Sequence, residues 1–224
     1  MPEVHEFIGR VWCLTHKQAD KGLDDIDTDQ IIPAAYITSF DPAFLAQHAF
    51  KLVHPNFVPE VRKWVSETGT SAILVEGHNF GKGSSREHAP RALKGLGVSC
   101  VVAKSFARIF RTNSIYNGLP PVTLLEVRAE TGDLARVRYE ERKGGTVEVF
   151  RPEGPAASPE RFLGVRAEGA TPGLRFREGG KERSVAFSLR GRWSFGPLED
   201  PLLERILWTG GLAAYTKAQI VKAA

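Results

Sequence analysis

One stretch narrows the possible folds more than any other. Residues 71–75 are a short apolar run of strand length, and residues 77–83 form a glycine-rich loop. Residues 85–96 place Ala89, Ala92, Leu93 and Leu96 at helical spacing. Gly97 stands where a helix stops, and residues 98–103 are β-branched and apolar, as in a buried strand. Strand, helix and strand in this order make a right-handed βαβ unit with parallel strands, so the expected fold class is α/β. Pro90 is the weak point of the helix, since proline delays or kinks one.

The flanks are consistent with that unit. Residues 6–14 read as a strand with Phe7, Ile8, Val11 and Trp12 as its apolar members. A polar run over 15–23 leads to the acidic stretch 24–29, and Pro33 argues against a central strand or helix interior over 30–36. Helices are expected over about 42–51 and from Pro59, where a first turn tolerates proline and Val61, Trp64 and Val65 turn inward. Residues 104–116 read as a helix with Phe106, Ile109 and Phe110 inward, followed by a strand over 122–127. From about residue 130 the pattern becomes β-rich. Residues 134–139 and 146–150 alternate around Gly144-Gly145, and 174–176 and 184–189 join through Gly179-Gly180, giving two hairpins. A Pro/Ala/Gly/Ser-rich loop spans 152–159, residues 201–208 are amphipathic, and a last helix is expected over 212–221. The expected organisation is one domain over 1–224, with 130–190 as a β-rich enlargement.

Composition excludes several function classes. Lys and Arg exceed Asp and Glu by 30 to 26, a mild and scattered excess. Nucleic-acid binding calls for clustered cations with stacking aromatics, and neither is present. No apolar stretch reaches the ~20 residues that span a bilayer, and the start of the chain lacks a basic, apolar leader. A cytoplasmic protein with no membrane partner is the expectation. Cys13 and Cys100 are too few for a disulfide framework or a four-cysteine metal site, and read most simply as core residues. Four Asn, four Gln and one Met suggest a thermophile, although a GC-rich genome also enriches Arg.

Three motif templates fail on spacing. Gly77 to Ser85 lacks the four-residue gap of a phosphate loop, and Gly83 follows Lys82 where Ser or Thr is required. Glu87 occupies the second glycine position of a nucleophile elbow at Ser85. In the aspartate run, Gln30 and Tyr36 replace the turn glycine and bidentate Glu of an EF-hand. What remains is Ser84 and Ser85 between a glycine loop and an expected helix N-terminus, which favours negative charge. Arg86 beside them can fork onto a carboxylate. A hydroxyl in that field can act as an alkoxide base. The plainer reading is that Ser84 caps the helix, with Glu87 completing a capping box, and the two roles are compatible. Asp24, Asp25 and Asp27 read as a solvated loop, and His88 as a packed histidine.

These residues carry a resemblance. Asn79-Phe80-Gly81-Lys82-Gly83-Ser84-Ser85-Arg86-Glu87-His88-Ala89, the run Ala103 to Phe110 and Asn117-Gly118-Leu119-Pro120 resemble the swivel domain of the aconitase superfamily. Asp27-Thr28-Asp29-Gln30-Ile31-Ile32-Pro33 resembles its second signature, and Gly210-Gly211-Leu212 with Tyr215 to Lys217 the ending of its free-standing small subunits. The layout is most similar to small subunits of hydro-lyases acting on isopropylmalate or homoaconitate. The resemblance implies a swivelling β/β/α domain and the removal and re-addition of water on a small hydroxy acid. By motif position Ser84 would be the base, Ser85 and Arg86 would bind a substrate carboxylate, and Thr28 and Asp29 would stand in the polar shell opposite. A 4Fe-4S iron–sulfur cluster would serve as Lewis acid. It needs three cysteines, so this chain would bind no cofactor itself, and a large subunit would supply the cluster in a heterodimer or heterotetramer.

The loop after Pro33 bears on the substrate. In the family it reaches the part of the substrate that differs between members, and tricarboxylate-using members tend to carry arginine there. Tyr36-Ile37-Thr38-Ser39 has no cation, and Ile37 offers apolar contact to an isopropyl group. The expectation is 3-isopropylmalate and leucine biosynthesis, with Ile37 and Thr38 as substrate contacts. Homoaconitate, citrate or dimethylmalate as substrate, and a non-catalytic anion-binding module, are the alternatives.

Overall fold

The computed structural model describes residues 3–14, 23–153, 161–166, 171–178 and 180–223. Four strands run parallel: β1 (Val4–Trp12), β2 (Ser71–Glu76), β3 (Val98–Ala103) and β4 (Pro121–Thr123). Trp12 sits opposite Leu74, and Ile73 opposite Cys100. The other edge of β1 pairs antiparallel with β5 (Leu134–Glu140), which turns into β6 (Gly144–Pro152). The long strand β9 (Lys181–Phe195) pairs with β6 through its second half and with β8 (Gly173–Glu178) through its first. With β7 (Arg161–Arg166) outermost, one nine-stranded sheet results, in the order β4-β3-β2-β1-β5-β6-β9-β8-β7. The two expected hairpins therefore extend the sheet that the βαβ unit begins.

Side chains alternate across this sheet, so its central strands feed two cores. Trp12, Leu74, Val101 and Leu134 face one side. They meet α2 (Pro42–Ala46), α3 (Phe57–Thr68) and α4 (His88–Leu96) through Leu45, Val61, Trp64 and Leu93. Val11, Ile73, Val102, Val137 and Val149 face the other side, where Cys13 and Cys100 are also buried. A smaller core joins α5 (Arg108–Tyr116), α6 (Pro201–Trp208) and α7 (Leu212–Ala223). Two helix ends carry a readable cause. Pro59 lies in the first turn of α3 after Asn56, and Gly97 closes α4 with φ of 100°, a conformation that a side chain disfavours.

Several elements are shorter than their sequence patterns. Residues 47–51 turn instead of continuing α2, because Phe50 donates its N–H to Ile31 at 2.9 Å and buries its ring. The expected helix over 104–116 begins only at Arg108. Residues 104–107 are drawn to the glycine loop, where Ala107 donates to the Phe80 carbonyl at 3.0 Å. Ile109 is then 39% exposed instead of inward, while Phe110 is buried. Strand β4 ends at Thr123, and Leu125 turns outward. The expected loop over 152–159 lies largely outside the described residues, as do most of the polar run 15–23 and Gly179. Among the described residues, no helix is long and apolar enough to cross a membrane.

Candidate active site

The carboxyl ends of the parallel strands release three segments that zip together: residues 23–30 following β1, 77–87 after β2 and 104–107 after β3. Gly77 donates to the Leu23 carbonyl at 3.1 Å, and Gly81 and Lys82 both donate to Ile26, at 2.7 and 3.1 Å. Thr28 returns its N–H to Lys82 at 2.9 Å and its hydroxyl to the Ser84 carbonyl at 3.2 Å. On the other side Phe80 donates to the Ser105 carbonyl at 3.0 Å, and the Asn79 N–H reaches the Ser105 hydroxyl at 2.8 Å. The loop is thereby laced between the two signatures that flank it.

Its anchor is Phe80, fully buried with its ring edge-on to Phe106 and Phe110. Gly81 takes φ of 80°, and a Cβ there would lie 2.1 Å from the Phe110 ring, so only glycine fits. The aspartates do more than the solvated-loop reading allows. Asp24 accepts the His78 N–H at 2.6 Å, and Asp25 accepts the Asn79 amide at 2.8 Å and pairs with Lys82. These partners hold the Asp25 carboxyl below its ordinary value, with the Asn79 bond as the largest cause and Lys82 next. Asp27 caps the short helix α1 (Thr28–Ile31) in a reciprocal capping box with Gln30, at 2.7 and 2.8 Å. An Asp three residues before a Gln was the signal for it.

The loop presents Ser84 and Ser85 to solvent. The expected cap at Ser84 is absent. Helix α4 starts at His88 with Glu87 as a cap residue lacking a side-chain bond, and Glu87 pairs with Arg91 at 3.2 Å instead. Pro90 then occupies the first turn, the only helical position it tolerates well, which moves the start past the serines. The helix terminus is thus not at Ser84. The N–H groups of residues 83–88 have no protein acceptor among the described residues, so the loop itself carries a row of open donors. Arg86 folds against the opposite segment and pairs with Asp29, which sets its guanidinium's positive charge next to the serines in the chain. Asp29 is 53% exposed, so this pair contributes only ~0–1 kcal/mol and acts chiefly as a geometric tie.

Thr28 is buried, Ile37 half-buried and Thr38 exposed. Ile37 packs on the main core, leaving part of its side chain open. Phe40, which the sequence reading passed over, links this loop to α4: its ring lies 4.3 Å from His88 and under the Arg91 guanidinium at 5.2 Å. Arg91 is aimed by Asn117, which accepts from its Nε at 2.9 Å, so the Asn-Gly-Leu-Pro motif acts through support. Burial and the nearby Arg91 and Arg86 charges push the His88 pKa down. Lys51 stands over the Tyr36 ring at 4.7 Å, bringing a cation to a loop that has none of its own.

Residues 38–127 match the aconitase C-terminal domain family. The chain is 52% identical over 122 residues to the 3-isopropylmalate dehydratase small subunit of Caldicellulosiruptor saccharolyticus, covering 54% of this chain and 66% of that protein. It is 48% identical over 122 residues to the Halothermothrix orenii small subunit, covering 70% of it. With small subunit 1 of Methanopyrus kandleri the identity is 40% over 176 residues, spanning 66% of this chain and 95% of the relative. The chain belongs to the 3-isopropylmalate dehydratase small-subunit family. Its fold matches the crystal structure of 3-isopropylmalate dehydratase from Methanocaldococcus jannaschii with a TM-score of 0.60 and 27% identity, covering 98% of each chain. Iron–sulfur chemistry is associated with this superfamily, but the cysteines of this small-subunit family member do not fit a cluster. Cys13 and Cys100 are buried within the sheet core, and the Cys13 thiol donates to the Ala129 carbonyl at 3.4 Å. Burial raises the pKa of both, opposing the thiolate that binds iron.

Proposed function

We propose that this chain is the small subunit of a 3-isopropylmalate dehydratase, interconverting 2- and 3-isopropylmalate in leucine biosynthesis together with a large subunit. The observation that carries this reading is the pairing of Arg86 and Asp29 across two zipped loops beside the exposed Ser84 and Ser85. In the proposed reaction the Ser84 oxygen takes the proton from the carbon next to a carboxylate, and hydroxide leaves the neighbouring carbon. Water then adds in the opposite sense, its hydroxyl to the first carbon and a proton, returned by Ser84, to the second. Ser85, Arg86 and the open N–H groups hold the carboxylate, and Thr28 and Asp29 fix the facing wall. Arg86 and the loop dipoles stabilise the serine alkoxide. A 4Fe-4S cluster belongs to the large subunit in this reading and supplies Lewis acidity for the departing hydroxyl. Residues 130–190 are read as an enlargement of the same domain, and the cytoplasm as the place of action.

The neutral stretch Tyr36 to Ser39 favours isopropylmalate, because an unpaired extra carboxylate is costly, on the order of several kcal/mol. Lys51 beside Tyr36 favours a second reading, homoaconitate, whose additional carboxylate it could meet. The test is kcat/KM of the enzyme reconstituted with its large subunit on 3-isopropylmalate and on homoisocitrate, with Ser84→Ala alongside. A preference for 3-isopropylmalate and a loss of at least roughly 10²–10⁴-fold in Ser84→Ala are expected. Preference for homoisocitrate overturns the substrate, and near-normal turnover in Ser84→Ala overturns the base.

A further inference from the structure

A second feature occupies the same edge of the sheet. Between the end of β3, the segment after β4, the end of β6 and the second half of β9 lies a cleft of about 620 Å³. That volume suits a small organic molecule. Three cations reach it from three different elements: Lys104, Arg128 and Arg190. None of the three has a carboxylate partner among the described residues. A fourth, Arg151, is already neutralised by Asp133 at 3.0 Å and Glu130 at 2.6 Å, which fixes it as wall. Glu126 is the remaining carboxylate of the lining; with Glu130 and Asp133 set against Arg151, the four cations exceed the three carboxylates by one. Val127 and the indole of Trp193 supply apolar surface beside it. Unpaired like charges gathered around a concave surface repel one another, and an anion relieves that repulsion. The position follows the general tendency of ligands to bind at the carboxyl ends of parallel strands.

We propose that this cleft binds a small organic dianion, with a phosphate or dicarboxylate head on the cations and an apolar or planar body against Trp193 and Val127. The site is joined to the serine loop through one short segment. Lys104 donates its N–H to the Gly77 carbonyl at 3.1 Å, and Ser105 holds Asn79 and Phe80. An anion drawing on Lys104 therefore acts on the segment that holds the glycine loop in place.

The test is calorimetric titration of the full chain with phenyl phosphate, phthalate and inorganic phosphate at constant ionic strength, with tryptophan fluorescence followed in parallel. Phenyl phosphate or phthalate should bind saturably and more tightly than inorganic phosphate, and whichever is tighter names the head group. The double variant Arg128→Ala/Arg190→Ala removes two exposed side chains without a described carboxylate partner and should fold normally. It should weaken binding about tenfold or more. Ser84→Ala should leave binding unchanged. Absence of saturable binding for all three probes, or equal affinity in the double variant, overturns the proposal.

Discussion

In the proposed reaction Arg86 matters for substrate binding, while its contribution to stability is small. Its partner Asp29 is half in solvent, so the pair adds at most ~1 kcal/mol, or about 2–4 °C in Tm for a chain of this size. Arg86→Lys should therefore fold with a near-normal Tm, yet raise KM about tenfold, because lysine cannot fork onto a carboxylate. An unchanged KM in steady-state assays of the assembled enzyme would remove Arg86 from the binding site. Glu76 shows the opposite balance. It closes β2 fully buried, and its two oxygens accept the N–H groups of Leu14 at 3.0 Å and Leu23 at 3.2 Å. Burial raises its pKa well above the ordinary value, outweighing those two bonds. Between the ordinary and the raised value the folded chain binds more protons than the unfolded one, so this group makes stability fall as pH rises. Glu76→Gln should flatten that slope in urea unfolding as pH rises above the ordinary carboxylate range. An identical slope in the variant would show that the carboxyl titrates alike in both states. Neither role was legible in sequence: Glu76 is one acid at the end of an apolar run, and its partners lie 53 and 62 residues away.

At the scale of elements, local periodicity was a good guide and long-range pairing was invisible to it. Ala89, Ala92, Leu93 and Leu96 are all buried, and Gly97 does end the helix, because spacing and cap chemistry are local properties. The start of α4 was misread. An abstract Ser-x-x-Glu pattern competed with Pro90, and proline won, leaving residues 84–87 outside the helix with both serines exposed. Phe106 and Ala107 continue the helical pattern of 108–116 backwards, yet the backbone of this segment is taken by Phe80, a partner no window of sequence contains. The loop after Pro33 was legible as a position but not as a structure. Its fastening is Phe40, 59% exposed yet stacked on His88 and Arg91. Contacts of that kind contribute ~0.5–1.5 kcal/mol, enough to shift the population of a loop conformation several-fold. Phe40→Ala should raise KM several-fold with kcat largely kept, and Phe40→Trp should restore it. Equal KM in the alanine variant would show that the stacking does not position Ile37 and Thr38.

For the whole molecule, the decisive asymmetry lies between the two sides of the sheet. The segments released at its carboxyl edge place hydroxyls, a guanidinium and open N–H groups at the surface, where a second protein can complete the site. The thiols point the other way in environment: Cys13 and Cys100 pack among Val11, Ile73, Val102 and Val137 in a core with no access for iron. The burial of Cys13 and Cys100 was readable in outline from the sequence, since both lie in apolar β patterns. The isolated chain should accordingly be colourless and inactive. Purified anaerobically with its large subunit it should give brown, active enzyme. The sharper test is Cys13→Ala/Cys100→Ala. Each change removes only a buried sulfur, so some stability is lost, but the assembled variant should keep its full iron and sulfide content and its turnover. Stoichiometric iron and sulfide on the isolated chain, or loss of the cluster from the assembled double variant, would place the metal on this subunit and overturn the division of labour.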